Sequence, residues 1–148
     1  MRRDELVELA GGITMAQALK GDFSDDFTYA LSLTRRKMKD EMECIEEKRK
    51  EYLEEYNDKI DDLKRKHCEK DKDKNPIMVD NGYKIKAIFS FQDDIKKLDK
   101  KYKKEIDAFG EFMKGDAGEV KIYKLEKLPE IPTRIADALF LLRKERDE

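Results

Sequence analysis

Tryptophan is absent from these 148 residues, histidine occurs once, cysteine twice and proline three times. The longest apolar run is Ala138 to Leu142, far short of the roughly 18 residues of a membrane-spanning helix. Each scarcity removes a class of function. The seven glycines are the pair Gly11-Gly12 and five isolated residues, so neither dinucleotide nor P-loop spacing is met. The only serines are Ser24, Ser32 and Ser90, none in a nucleophile-elbow context. His67 adjoins Cys68, but zinc needs three or four converging ligands. Neighbours on a helix point about 100° apart. Cys44 and Cys68 on one helix would lie roughly 36 Å apart, where a disulfide tolerates about 7 Å. Reduced thiols in a cytoplasm are expected. The opening Met1-Arg2-Arg3-Asp4-Glu5-Leu6 has acids where a secretory signal needs apolar residues. The expectation is therefore no catalytic residue, no metal, no cofactor, no membrane and a cytoplasmic location.

What the chain has is charge. Charged residues make up 46% of it and hydrophobic ones 39%, with a net charge of only -2; an ordinary domain is about 25% charged. From Asp22 to Asn81 there is no glycine, and no proline precedes Pro76. Residues 35 to 70 hold 12 basic and 12 acidic side chains. Through them runs a narrow stripe, Met38, Met42, Ile45, Tyr52, Tyr56, Ile60 and Leu63, mostly at helical spacings. Arg49 interrupts it and its phase shifts near Tyr56 to Ile60, so the repeat is an imperfect coiled-coil one. Glu46 with Lys50, Glu55 with Lys59, Asp61 with Arg65 and Asp62 with Lys66 are i,i+4 pairs worth about 0.2–0.5 kcal/mol each. A helix over 26–70 is predicted. The glutamates of this segment alternate with Lys and Arg, the pattern of a solvated face rather than a carboxylate metal centre.

Shorter elements flank it. Residues 1–21 read as short helices stopped by Gly11-Gly12 and Gly21. Asp22, Ser24, Asp25 and Asp26 supply capping oxygens before Phe27. Asp80-Asn81-Gly82 between β-prone flanks predicts a β-hairpin over 76–89. Ser90 is the expected cap of a second helix over 91–114, with the stripe Ile95, Leu98, Tyr102, Ile106 and Phe109. Val120, Ile122 and Leu125 alternate with polar residues, suggesting a strand over 119–125. A final amphipathic helix is expected over 133–145, covering the first half of the long helix. The predicted fold is one domain, 1–148, mainly α: a long antiparallel, coiled-coil-like helical hairpin with a small β-hairpin or sheet element and short terminal helices.

Basic clusters are the strongest candidates for binding: Arg35, Arg36 and Lys37 with Lys39 opening the long helix, Lys64, Arg65 and Lys66 closing it, and Lys96, Lys97, Lys100, Lys101, Lys103 and Lys104 on the second. In an antiparallel hairpin the last two clusters meet at one end, a local patch able to hold phosphates or a partner. Asp61, Asp62, Asp93, Asp94 and Asp99 interrupt it, which weighs against an extended nucleic-acid footprint.

The segment Phe27-Thr28-Tyr29-Ala30-Leu31-Ser32-Leu33-Thr34-Arg35-Arg36-Lys37-Met38 enters the Glu/Lys-rich helix, and Leu128-Pro129-Glu130-Ile131-Pro132 leads into the apolar final helix. In this layout, over residues 13 to 142, the chain resembles small phage- and prophage-encoded proteins of the domain-of-unknown-function type. The resemblance implies a bacterial cytoplasm and action by binding, with no residue role to transfer. The expected function is that of a non-enzymatic accessory protein that binds a protein partner, inhibiting or redirecting a host or defence factor. The expected docking surface is the part of the long helix that the second helix leaves uncovered, which could also drive homodimerisation. Two alternatives are a protein sequestering a small anion or nucleotide with its Lys/Arg patch, and a structural or virion-assembly spacer.

Overall fold

The structure, a computed structural model, describes residues 1–80 and 82–143. It is mainly helical with one two-stranded antiparallel sheet. In chain order the elements are α1 (Arg3–Gln17), α2 (Asp25–Lys37), α3 (Lys39–His67), β1 (Met78–Val79), β2 (Gly82–Tyr83), α4 (Ile88–Lys101), α5 (Lys103–Lys114) and α6 (Thr133–Ala138), followed by a 3-10 turn at Phe140–Leu142. The chain divides into two compact units: Met1–Glu47 with Phe112–Glu148, and Lys48–Glu111.

The first unit holds the apolar core. Leu6, Leu9 and Ile13 of α1 are fully buried with Phe27, Ala30 and Leu31 of α2, Met38, Ile45 of α3, and Leu139 and Leu142. Burying each large aliphatic side chain contributes roughly 1.5–3 kcal/mol. The predicted stop at Gly11-Gly12 does not occur: α1 runs through both glycines. A Cβ on Gly12 would lie 2.7 Å from the Cβ of Ala138, so this glycine serves close packing against α6 rather than termination. Ser24 caps α2 as its spacing suggests, its Oγ accepting from the Phe27 N–H at 3.3 Å. Asp25 and Asp26 lie in the first turn of α2, and Arg35, Arg36 and Lys37 in the last, each sign complementing the helix dipole.

The predicted helix over 26–70 is divided at Met38, which has ψ near zero (φ -92°, ψ -1°). The Met38 N–H still donates to Thr34 and its carbonyl accepts from Met42, so the irregularity is one residue long. The second predicted helix is divided in the same way at Tyr102. Both residues are buried, at 1% and 6% exposure.

Three further expectations are corrected. No strand spans 119–125. Only Leu125 pairs, in a single parallel bridge with Arg143, and the Tyr123 N–H turns to Thr34 Oγ1; Val120 and Ile122 are held by side-chain packing on the core. The final helix ends at Ala138, packs chiefly on α1 and gives way to the 3-10 turn. Residues 144–145 of its predicted span lie outside the described residues. The β-hairpin is shorter than 76–89, with Met78 opposite Tyr83 and Val79 opposite Gly82; Asn81, expected in its turn, lies outside the described residues.

In the second unit three backbone segments close on one another around that hairpin. The Glu69 N–H donates to Lys84 O at 2.6 Å, Lys84 N–H to Ile77 O at 2.9 Å, and Ile77 N–H to Glu69 O at 2.8 Å. Lys86 N–H then donates to His67 O, and pairing ends with the Cys68–Ile85 bridge. The backbone beyond has no strand to join and turns helical at Ile88, where the Phe91 N–H closes the first turn onto Ala87 O. Ser90 therefore lies inside α4 and is not its cap.

Candidate functional site

Within the Lys48–Glu111 unit, side-chain contacts link α3 to α4 and α5 in opposing chain order. Tyr52 meets Phe109 at 6.4 Å between ring centroids, Tyr56 meets Tyr102 at 5.8 Å, and His67 meets Phe91 at 5.9 Å. Polar bonds reinforce the series. Tyr56 OH donates to Asp99, and Tyr102 OH donates to Glu55 at 2.8 Å. Burial, then the Asp99 carboxylate, pushes the Tyr56 phenol up to about 12. The bond to Glu55, with burial adding to it, also raises Tyr102. His67 Nε2 lies 2.6 Å from Asp94 Oδ2, and an ionised carboxylate can only accept, so His67 donates. That bond, helped by Lys66 at 3.6 Å, holds Asp94 below the usual carboxylate range.

Between the end of α3 and α4 lies an open groove of about 330 Å³. From α3 it is lined by Lys59, Asp62, Leu63 and Lys66; from α4 by Asp94, Lys97, Leu98 and Lys101. Of the basic residues singled out in the sequence, the structure brings Lys66, Lys97 and Lys101 together here. Lys64 is half-buried, and Lys96 and Lys104 are exposed, outside the groove lining. Arg65 is turned to the hairpin, where its Nε donates to Tyr83 OH at 3.2 Å. Lys100 lines a separate crevice beside Tyr56 and Asp99. Arg35 and Arg36 belong to the first unit; Arg35 donates to Gln17 and borders a groove floored by Ala10, Met38 and Met42. Lys59 was not singled out, although its spacing of seven from Lys66 puts both on one helix face.

Of the stripe residues, Met38, Ile45 and Tyr102 are buried, while Met42, Tyr52, Tyr56, Ile60, Leu63, Ile95, Leu98, Ile106 and Phe109 are half-buried. The apolar face of the first half of the predicted long helix is covered. Its Phe27, Ala30, Leu31, Thr34, Met38 and Ile45 are core, covered by α1 and the C-terminal segments that share the first unit.

The exposed apolar residues are elsewhere. Phe89 is 84% exposed, Ile88 56%, Met78 54% and Val79 49%, all on the hairpin and the first turn of α4. In the first unit Tyr29 and Tyr123 pack edge to face at 5.5 Å with both rings exposed. Sequence reasoning missed Ile88 and Phe89 because a strand over 83–89 would have buried one of its faces. The uninterrupted Ala87-Ile88-Phe89 was the available signal.

Among the described residues no group of three or more His, Cys, Asp or Glu is placed to hold a metal ion, and no helix is long and apolar enough to cross a membrane. Compared with protein-family models, curated proteins and solved structures, the chain matches none.

Proposed function

We propose that this protein is a non-enzymatic accessory protein that acts by binding a protein partner. The observation that carries the reading is that Met78 and Val79 of the hairpin and Ile88 and Phe89 of the first turn of α4 are all exposed, next in the chain to backbone bonds that tie those segments to the end of α3. Clustered large apolar side chains left in water mark interaction sites, and Phe89, 84% exposed, offers the aromatic anchor on which interface energy concentrates. The reading includes an antiparallel helical hairpin in the Lys48–Glu111 unit, supported by the order of its ring contacts. It also includes a phage-type origin with a host or defence factor as the partner, supported by the layout resemblance alone. The test is affinity capture from bacterial lysate with the wild-type chain and with an I88D/F89D variant. A partner held by the first and lost by the second supports the reading. Identical captures rule this surface out.

A second reading, capture of a small anion or nucleotide, is favoured by the four lysines of the α3–α4 groove. A melting temperature raised by a nucleotide panel would support it; an unchanged one would remove it.

A further inference from the structure

We propose that the α3–α4 groove seats an amphipathic helix with acidic flanks, supplied by the protein partner. The proposal rests on the partner-binding reading and names the partner's chemistry. The lining residues of each helix are spaced i, i+3, i+4 and i+7: Lys59, Asp62, Leu63 and Lys66 on α3, and Asp94, Lys97, Leu98 and Lys101 on α4. That spacing puts each set on one helix face, along roughly 10 Å or two turns. Each face offers one leucine between charged neighbours. Leu63 and Leu98 are half-buried and form an apolar floor, while Lys59, Lys66, Lys97 and Lys101 are exposed. A groove between two helices with this periodicity accepts a third helix, whose own apolar residues recur at i, i+3 or i+4, and i+7.

Charge selects the occupant. Four lysines line it with two aspartates; Lys66 and Asp94 are already paired, Asp94 with His67 as well, which leaves Lys59, Lys97 and Lys101 against Asp62. The remaining field favours glutamate or aspartate flanks and disfavours a basic helix. Among the described residues no aromatic ring lines the groove to stack a base, and the Leu63–Leu98 floor has nothing to meet in a free phosphate. The bonds from His67 to Asp94, Tyr56 to Asp99 and Tyr102 to Glu55 tie α3 to α4 and to the residue that ends it without any occupant. The groove is thus formed in advance, which lowers the ordering cost of docking.

The test uses the full chain and a fluorescently labelled synthetic helix with leucines at i, i+3 and i+7 flanked by glutamates, followed by anisotropy. Saturable binding is expected, weakened at least about tenfold by K97E/K101E and weakened by added salt. Circular dichroism verifies that the variant keeps its helices. The proposal is overturned if the acidic helix does not bind, if a version with lysines for the glutamates binds equally well, or if K97E/K101E changes nothing. Tripolyphosphate that raises the melting temperature of the wild type but not of K97E/K101E assigns the groove to phosphate instead. A dimer in light scattering that K97E/K101E dissociates assigns it to a second copy. Either outcome overturns the proposal. A lysate partner lost by I88D/F89D but kept by K97E/K101E removes the groove and leaves partner binding standing. Partner binding itself falls if the wild-type chain captures nothing.

Discussion

Gly12 of α1 lies so close to Ala138 of α6 that a methyl group on the glycine would meet the Ala138 Cβ at 2.7 Å and a Leu139 methyl at 3.2 Å. Its neighbour Gly11 has nothing within 4 Å of the same position. Two adjacent glycines in one helix therefore answer the same substitution in opposite directions. Gly12→Ala is expected to cost about 1–3 kcal/mol through overpacking, and Gly11→Ala to gain up to about 1 kcal/mol through helix propensity. Urea unfolding of the two variants reads the difference; equal shifts would contradict the close approach.

The His67–Asp94 pair sets a pH dependence on the acid side. The folded Asp94 sits below its ordinary value of about 3.9, so the folded state binds its proton less readily than the unfolded chain does. The stabilisation is present above the unfolded value and lost as pH falls through the folded one. Asp94→Asn removes it. The variant is expected to melt lower than wild type at neutral pH, and the gap is expected to close in acid. A constant gap across a melting series from about pH 7 to about pH 2 would argue against the pair.

Tyr56 works in the alkaline direction. Its folded value of about 12 exceeds the ordinary 10. Its contribution is complete below about 10 and is lost as pH rises through about 12. An ultraviolet absorbance titration of the folded protein should show late-ionising tyrosines, Tyr102 among them, and Tyr56→Phe should lower the late amplitude by one tyrosine. If the late amplitude is unchanged in the variant, the assignment fails. Loss of the bond to Asp99 should cost about 1 kcal/mol at neutral pH.

The two thiols should react at different rates. Cys44 is exposed, whereas Cys68 is 5% exposed with its Sγ–H donating to Arg65 O. A thiol reagent is expected to modify one cysteine quickly and the second only slowly, with Cys44→Ser removing the fast phase. Two fast thiols would mean that the bridge from Cys68 to Ile85 opens readily.

Much of the candidate groove was legible in the sequence. Lys97 and Lys101 stand out in a lysine cluster, and Leu63 and Leu98 fall on the helical stripes. Lys59 stood alone in the chain, and only its placement across from α4 makes it part of a site. Ile88 and Phe89 looked like strand residues, because β-propensity is a weak prior that the presence or absence of a pairing partner overrides.

The helical character of this protein is written locally in its chain. Helical periodicity, the i,i+4 charge pairs and the Ser24 cap act within one or two turns of chain, so residues close in sequence suffice to reveal them. Long-range packing and pairing set the rest: α1 passes through Gly11-Gly12, 119–125 forms no strand, α4 starts at Ile88, and Met38 and Tyr102 interrupt the longer helices. Those outcomes depend on what stands opposite a backbone donor or a missing Cβ: Ala138 for Gly12, Thr34 for Tyr123, His67 for Lys86. Such partners are distant in sequence, and the free energy of each contact is realised only once the chain has folded.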